Sequence, residues 1–193
     1  MARRICIIQG HPDARAHHFC HALAAAYAAG ASEAGHEVTT IDVGALEFPL
    51  LASREAWAEQ SAPAAIAMAQ RQIRDAEHLV IIFPLWLGDM PARLKGFLEQ
   101  VMRPGFAVPH GPARPGAGLL KRRSARVVVT MGMPGIIYRT FFGAYALRLL
   151  KRNILHFVGI RPVRTTVIGM VDGSHAHRER ALERMTRIGD SGR

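Results

Sequence analysis

The chain has 193 residues, of which 49% are apolar and 21% charged, and its formal net charge is +10. This composition excludes a disordered or fibrous protein. The longest apolar run, Leu79–Leu87, is interrupted by Pro84 and is too short for a membrane span, and the first residues lack a signal-peptide core. The two cysteines, Cys6 and Cys20, form no CxxC pair, which predicts a reducing, cytoplasmic location.

The positive charge would suit an anionic partner, either nucleic acid or a phosphorylated cofactor, although a solvated surface with scattered arginines explains it more simply. Basic residues are dense only at 121–123 and 177–187, and the second segment alternates in sign like an exposed helix. Because no aromatic residues are interleaved as stacking platforms, we expect no nucleic-acid partner.

Strand and helix patterns alternate along the chain. Strands are predicted at residues 3–8, 36–43, 78–83, 125–131 and 163–171, and helices at 17–34, 63–75, 91–102, 138–152 and 174–185. Gly35 is a typical helix C-cap, and Pro63 and Pro91 suit the first turn of a helix. Three strands are continuous apolar runs, which indicates a parallel sheet covered on both faces. We therefore predict an α/β protein forming a single domain over residues 1–193.

One stretch breaks this alternation. Residues 104–118 contain four prolines and four glycines, together with Phe106 and His110. A long structureless loop within a compact domain is usually functional or disordered. We interpret this Pro/Gly loop as a wall of a ligand site.

Ligands of open parallel sheets bind outside the carboxyl ends of the strands, which selects the loops at 9–19, 84–92 and 131–138. In the first loop, Gly10 permits a tight turn, and the following helix N-terminus could bind phosphate, with His11 as a further donor or merely as an exposed loop residue. The absence of GxxxxGK[ST] and GxGxxG patterns argues against ATP and Rossmann-type sites. His17 and His21 have a metal-ligand spacing, but no carboxylate or cysteine completes a recognised set, so we expect no metal.

The other two loops suggest a planar ligand. Pro84 should end its strand and leave the N–H groups of 85–87 without sheet partners, so that they and Trp86 could contact a flat ring such as a flavin. The alternative is that Trp86 packs under the Pro/Gly loop. In the last loop, Tyr138 is expected to open a helix and could donate to an oxyanion, although a packing role is equally open.

Five segments together resemble the flavodoxin-like NAD(P)H:quinone oxidoreductases: "GHP" (10–12), "HFCHAL" (18–23), "FPLWLGDMPARLKGFLEQVMRPGFA" (83–107), "TMGMPGIIY" (130–138) and "NILHFVGI" (153–160). The resemblance implies a flavodoxin-like three-layer sandwich with a five-stranded parallel sheet in the order 2-1-3-4-5. It also implies one flavin per subunit, FMN or FAD, with NADPH or NADH as hydride donor. Such enzymes are homodimers with the active site at the interface, and they reduce quinones by a two-electron ping-pong mechanism.

The resemblance assigns roles to individual positions. The phosphate or pyrophosphate would be bound by His11, His18, Phe19 and Cys20, the flavin ring by Pro84, Leu85, Trp86 and Leu87, its other edge by Thr130 and Gly132, and the reacting side would face Tyr138. His18 and Cys20 replace the Ser or Thr and the Asn that are usual in the family. The resemblance does not explain Asp89. A flavin-binding regulatory subunit of a membrane transporter is the alternative function.

Overall fold

A computed structural model describes residues 2–15, 17–111 and 116–193. Five parallel strands form one sheet in the order β2-β1-β3-β4-β5, which confirms the predicted fold class. The strands are β1 (Arg4–Gln9), β2 (Glu37–Asp42), β3 (His78–Pro84), β4 (Ser124–Thr130) and β5 (Val163–Ile168). The helices are α1 (Phe19–Glu33), α2 (Arg54–Ala58), α3 (Ala64–Asp75), α4 (Ala92–Val101), α5 (Gly135–Thr140), α6 (Tyr145–Leu149) and α7 (His175–Asp190), and a π-helical segment (Leu150–Leu155) continues α6.

Two hydrophobic clusters cover the two faces of the sheet. Residues of α3 and α4, among them Ile66, Ile73 and Phe97, are buried on one face, and α1 and α7 bury Tyr27 and Met185 on the other. Burial on both faces explains why the central strands are continuous apolar runs. Among the described residues, no helix is long and apolar enough to cross a membrane.

Several element boundaries differ from the sequence-based prediction. The helix expected at 138–152 is broken, because Gly143 and Ala144 adopt left-handed φ angles of 59° and 50° between α5 and α6. β5 ends at Ile168, close to Met170 with its φ of 53°. The short helix α2 was not predicted; Ser53 caps it by accepting a hydrogen bond from the Ala56 N–H at 3.1 Å.

Residues 106–108 of the Pro/Gly loop are buried on the core, whereas Gly105, His110, Gly111 and Gly116 are exposed, and residues 112–115 lie outside the description. Phe106 is only 7% exposed and belongs to the core cluster. The guanidinium of Arg74 lies 5.4 Å from the centre of its ring. The ring of Phe106 thus helps to close the core, and the interpretation of the Pro/Gly loop as a site wall stays a prediction.

α1 and α7 touch backbone to backbone through two glycines. A Cβ on Gly30 would lie 2.1 Å from the Thr186 carbonyl oxygen, and one on Gly189 would lie 2.1 Å from the Tyr27 carbonyl oxygen. Neither obstacle is the tip of a flexible side chain. The two helices therefore pack at this separation only because both positions lack a side chain.

We expect Gly30→Ala to destabilise the protein by about 1–3 kcal/mol, because the added methyl group forces the two helices apart. Helix propensity alone predicts the opposite sign, a gain of about 1 kcal/mol. The measurement is the free energy of unfolding in urea. Ser32→Ala, at an exposed position of the same helix, is the control and should not destabilise; a gain in stability for Gly30→Ala would contradict the packing argument.

Candidate functional site

The three loops selected from the sequence meet at the carboxyl edge of the sheet. The rings of His11, after β1, and Trp86, after β3, lie edge to face with centroids 5.8 Å apart. The N–H of Leu85 donates to the carbonyl oxygen of Thr130 at the end of β4, at 2.8 Å. Gly10, which follows β1, donates its N–H to the Ile82 carbonyl oxygen at 2.7 Å, so the strand ends remain in register up to the site.

The loop after β1 is held by a small network of hydrogen bonds. The His11 N–H donates to the side-chain oxygen of Gln9, and the ring of His11 stacks on that of His18 with a centroid distance of 4.0 Å. Nε2 of His18 lies 2.9 Å from Oδ2 of Asp13, and the guanidinium of Arg15 binds the same carboxylate. Asp13 thereby fixes the ring of His18 beside His11.

The start of α1 offers free backbone donors. His18 is the N-cap residue, and its carbonyl oxygen accepts hydrogen bonds from the N–H groups of His21 and Ala22. The N–H groups of Phe19 and Cys20 have no acceptor among the described residues. Unpaired N–H groups and the helix dipole together favour an anion at this point.

The side chains of Phe19 and Cys20 point away from this anion position. Phe19 packs, half-buried, against the α1–α7 cluster. Cys20 is buried, and its Sγ lies 3.4 Å from Oγ1 of the buried Thr130. Burial raises the pKa of the Cys20 thiol to about 11. These two residues can therefore meet a phosphate only through their backbone N–H groups.

The expectation that three free N–H groups follow Pro84 in the loop after β3 is wrong, because two of them have acceptors. Leu85 donates to Thr130, and Trp86 and Asp89 donate to each other's carbonyl oxygens at 2.9 and 3.0 Å. Leu87 and Gly88, with φ angles of 47° and 83°, form the two-residue turn between them. This conformation resembles the tight turns of β-hairpins. Of the three N–H groups, only that of Leu87 lacks an acceptor among the described residues.

The turn exposes apolar side chains and explains Asp89. Trp86 is 48% exposed and Leu87 fully exposed, whereas Leu85 packs against the core. Asp89 closes the turn through its backbone, and its Oδ1 accepts a hydrogen bond from the Met90 N–H at 2.7 Å. Trp86 is therefore a surface residue beside His11 rather than a side chain packed into the core.

The position of Tyr138 differs from the expectation that it opens a helix. It lies inside α5 and is only 1% exposed. Its hydroxyl faces the backbone of Leu147 and Ala146 at the start of α6, close enough for these groups to favour its charged form, but no contact among the described residues has the geometry of a hydrogen bond. Burial raises the pKa of this hydroxyl, the backbone of Leu147 opposes the rise, and Asp89 adds to it. A buried hydroxyl without a partner is energetically costly.

The sequence-based prediction left one histidine and two carboxylates out of the flavin site. His21 lies with its ring 5.8 Å from that of His11 and 3.8 Å, Nε2 to Oδ2, from Asp42. Asp42 is the last residue of β2, which is next to β1, so the strand order contained the signal for it. Asp172 approaches from the loop after β5, since a Cβ on Gly132 would lie 3.0 Å from its Oδ2. Within the described ranges, no three His, Cys, Asp or Glu side chains are grouped so as to hold a metal ion.

The model of a protein family described as having a flavodoxin-like fold matches residues 3–188. The chain is 33% identical over 75 residues to an FMN-dependent NADH:quinone oxidoreductase of Ruegeria pomeroyi, an alignment of 39% of this chain and 37% of that protein. It is 32% identical over 114 residues to the human ribosyldihydronicotinamide dehydrogenase [quinone], covering 56% of this chain and 48% of that protein. The match thus spans less than half the length of either relative.

The fold also has a solved counterpart along its whole length. The structure of the NAD(P)H:quinone oxidoreductase from Methanothermobacter marburgensis superposes with a TM-score of 0.80 at 26% identity. The superposition covers 99% of this chain and 97% of that one.

The two inner histidines predict how stability depends on pH. Burial lowers the pKa of His11 and His21; the neighbouring His18 lowers both further, and Asp42 partly opposes this for His21. The folded-state pKa values thus lie below the unfolded value of about 6.5. The contribution of these two imidazoles to stability is therefore greatest above that pH, where both are neutral, and it is lost as the pH falls. We expect the urea midpoint to fall between pH 7.5 and 5, and His21→Gln to reduce that fall.

His110→Gln, at an exposed loop position, controls for the loss of one imidazole and should leave the pH dependence as in the wild type. An equal fall in His21→Gln and wild type would show that His21 does not contribute.

Proposed function

The chain belongs to the family with a flavodoxin-like fold, and from this premise we propose that it is a flavin-dependent NAD(P)H oxidoreductase that reduces quinones or similar electrophiles. The quinone oxidoreductases among its relatives support the substrate class. The observation that carries the proposal is the meeting of free donors at the start of α1 with the exposed Trp86–Leu87 turn, on either side of His11.

The first half of the site suits a phosphate group. The free N–H groups of Phe19 and Cys20 would donate to its oxygens, and the positive end of the α1 dipole would favour its charge. His18, oriented by Asp13, and His11, stacked on it, would add side-chain donors. We assign the phosphate to FMN, because the Ruegeria pomeroyi relative is FMN-dependent.

The second half suits a flat ring. The apolar surfaces of Trp86 and Leu87 are already exposed and need no rearrangement to pack against it. The Leu87 N–H is available as a donor to a ring oxygen or nitrogen, and Leu85 and Thr130 hold the base of the turn through their hydrogen bond. Pro84, paired in register with Thr130, and Gly132 complete the edge of the sheet beneath the ring.

When bound, the flavin supplies the chemistry, since it can accept a hydride from NADH or NADPH and pass two electrons to a quinone in a separate half-reaction. The chain's residues bind and orient the reactants and shield them from water. Tyr138 is the candidate proton donor, because the resemblance assigns it to the reacting side of the flavin; its hydroxyl lies near Asp89.

The phosphate half is tested by comparing FMN with riboflavin, which has the same ring but no phosphate. We expect FMN to bind more tightly, as measured by quenching of flavin fluorescence. His18→Ala should weaken FMN binding by about tenfold, the value of a charge-assisted hydrogen bond, and leave riboflavin binding unchanged. Absence of any flavin binding would contradict the proposed function.

The reaction is tested anaerobically on the flavin-loaded protein, by adding NADH or NADPH and then menadione. We expect bleaching of the flavin spectrum followed by its recovery. Tyr138→Phe should slow the recovery by about a hundredfold if the hydroxyl donates a proton. Unchanged kinetics would remove Tyr138 from the mechanism, and bleaching without recovery by menadione would favour the regulatory subunit instead.

We further propose that the protein is a homodimer of single-domain subunits in the cytoplasm. Exposed apolar residues lie along α5, the turn that follows it and the start of α6, next to Tyr138; they are Ile136, Ile137, Phe141, Phe142 and Tyr145. Phe141, for example, is 81% exposed. Contiguous apolar surface of this kind marks interaction sites. A second copy of the chain placed there would cover these residues and form one wall of the flavin site.

We expect Phe141→Glu to convert the dimer to monomers, because a charge would have to be buried in the interface. Sedimentation equilibrium measures the mass. Met68→Glu, which places the same charge on an exposed apolar position of α3, is the control and should leave the dimer intact. A wild-type protein that sediments as a monomer would refute the homodimer.

A further inference from the structure

A second charged site lies at the amino edge of the sheet, opposite the flavin site. A cavity of about 300 Å³ opens there, at the starts of β3, β4 and β5. It is lined by Arg3, His78, Ser124, Ala125, Pro162, Arg164 and Arg193. We propose that this cavity binds a small phosphate-bearing anion, either free phosphate or a phosphate monoester.

The side chains of the lining carry positive charge and no negative charge. None of its side chains is acidic, and the guanidinium groups of Arg3, Arg164 and Arg193 form no ion pair with an Asp or Glu side chain within the described chain. The residues outside the description contain no Asp or Glu that could pair with them. The nearby Glu77 is occupied, because Arg4 binds it through its backbone N–H at 3.0 Å and its guanidinium at 3.9 Å.

A fourth guanidinium lies beneath the cavity and adds to its field. Arg126 is buried; its Nε donates to the backbone oxygen of Arg193 at 2.7 Å and its terminal nitrogen to Oγ1 of Thr166 at 2.8 Å. Burial lowers the pKa of this guanidinium, and the charge of Arg164 lowers it further. These two contacts orient the guanidinium of Arg126 beneath the cavity.

The pKa of His78 is affected by the positive charge of these arginines. It is 2% exposed, its Nδ1 lies 2.7 Å from Oγ of Ser124, and its Nε2 has no hydrogen-bond partner among the described residues. Burial, then Arg126, Arg3 and Arg164, lower the pKa of His78 to about 4. The imidazole is therefore neutral at pH 7, and the positive charge around the cavity comes from the arginines alone.

The chemistry selects phosphate over a carboxylate. Guanidinium groups bind both anions with paired hydrogen bonds, but a phosphate carries up to twice the charge and more acceptor oxygens. Three guanidinium groups around one cavity can therefore all be satisfied by a single phosphate group. A volume of about 300 Å³ is at the lower end for ligand sites, which favours a small ligand over a nucleotide.

The test is calorimetric titration of the full chain, saturated with FMN to block the α1 site, with inorganic phosphate and with glycerol 3-phosphate at constant ionic strength. We expect one binding event that Arg164→Ala weakens by about tenfold or more, the value of a hydrogen bond to a charged group. Arg152→Ala removes the same charge from an exposed position in the π-helical segment and should leave binding unchanged. Tighter binding of glycerol 3-phosphate would assign the site to a phosphate monoester, and equal binding to free phosphate.

A second readout is the imidazole resonance of His78. An anion in the cavity stabilises the charged imidazole, so phosphate should raise the pKa of His78 in the wild type and not in Arg164→Ala. Failure of phosphate to bind the wild type, or equal binding by wild type and Arg164→Ala, would overturn the proposal. The His78 resonance and the comparison with Arg164→Ala report on this cavity alone, so they decide the proposal even if the protein binds no flavin.

Discussion

The structure depends on the pairing of β3 between β1 and β4. These strands are buried on both faces, so their backbone N–H and carbonyl groups can be satisfied only by neighbouring strands in register. Parallel pairing then brings the carboxyl ends of the strands to one edge. The hydrogen bonds from Gly10 to Ile82 and from Leu85 to Thr130 continue this pairing into the loops. The candidate flavin site is thus built directly on the ends of the buried central strands.

The helices on the two faces are fixed by different means. α4 packs on the sheet through its apolar face, on which Leu94, Phe97 and Val101 are buried. α1 and α7 instead approach through Gly30 and Gly189, where backbone meets backbone. The close α1–α7 contact anchors the helix whose N-terminus carries the free N–H groups of the site. Helix packing on one face therefore determines where a phosphate can be bound at the edge.

The two ends of the sheet have different electrostatic characters. At the carboxyl edge, the carboxylates of Asp13, Asp42 and Asp172 lie near histidines and free N–H groups. At the amino edge, the arginines around His78 have no such partners in the described chain. The net charge of +10 is therefore not merely spread over a solvated surface, because part of it is gathered around one cavity.

The sequence by itself determined the alternating strands and helices, the inward faces of α3 and α4, and the choice of loops at the carboxyl edge. Each of these follows from local periodicity or from a rule about parallel sheets, while the resemblance to a known family supplied the strand order. Tertiary structure alone decided that the Leu85 N–H is occupied by Thr130, that Tyr138 and Phe106 are buried, and that His21 lies near Asp42. The physical reason is that burial and hydrogen-bond partners depend on residues distant in the chain, whereas periodicity records only which face of an element is apolar.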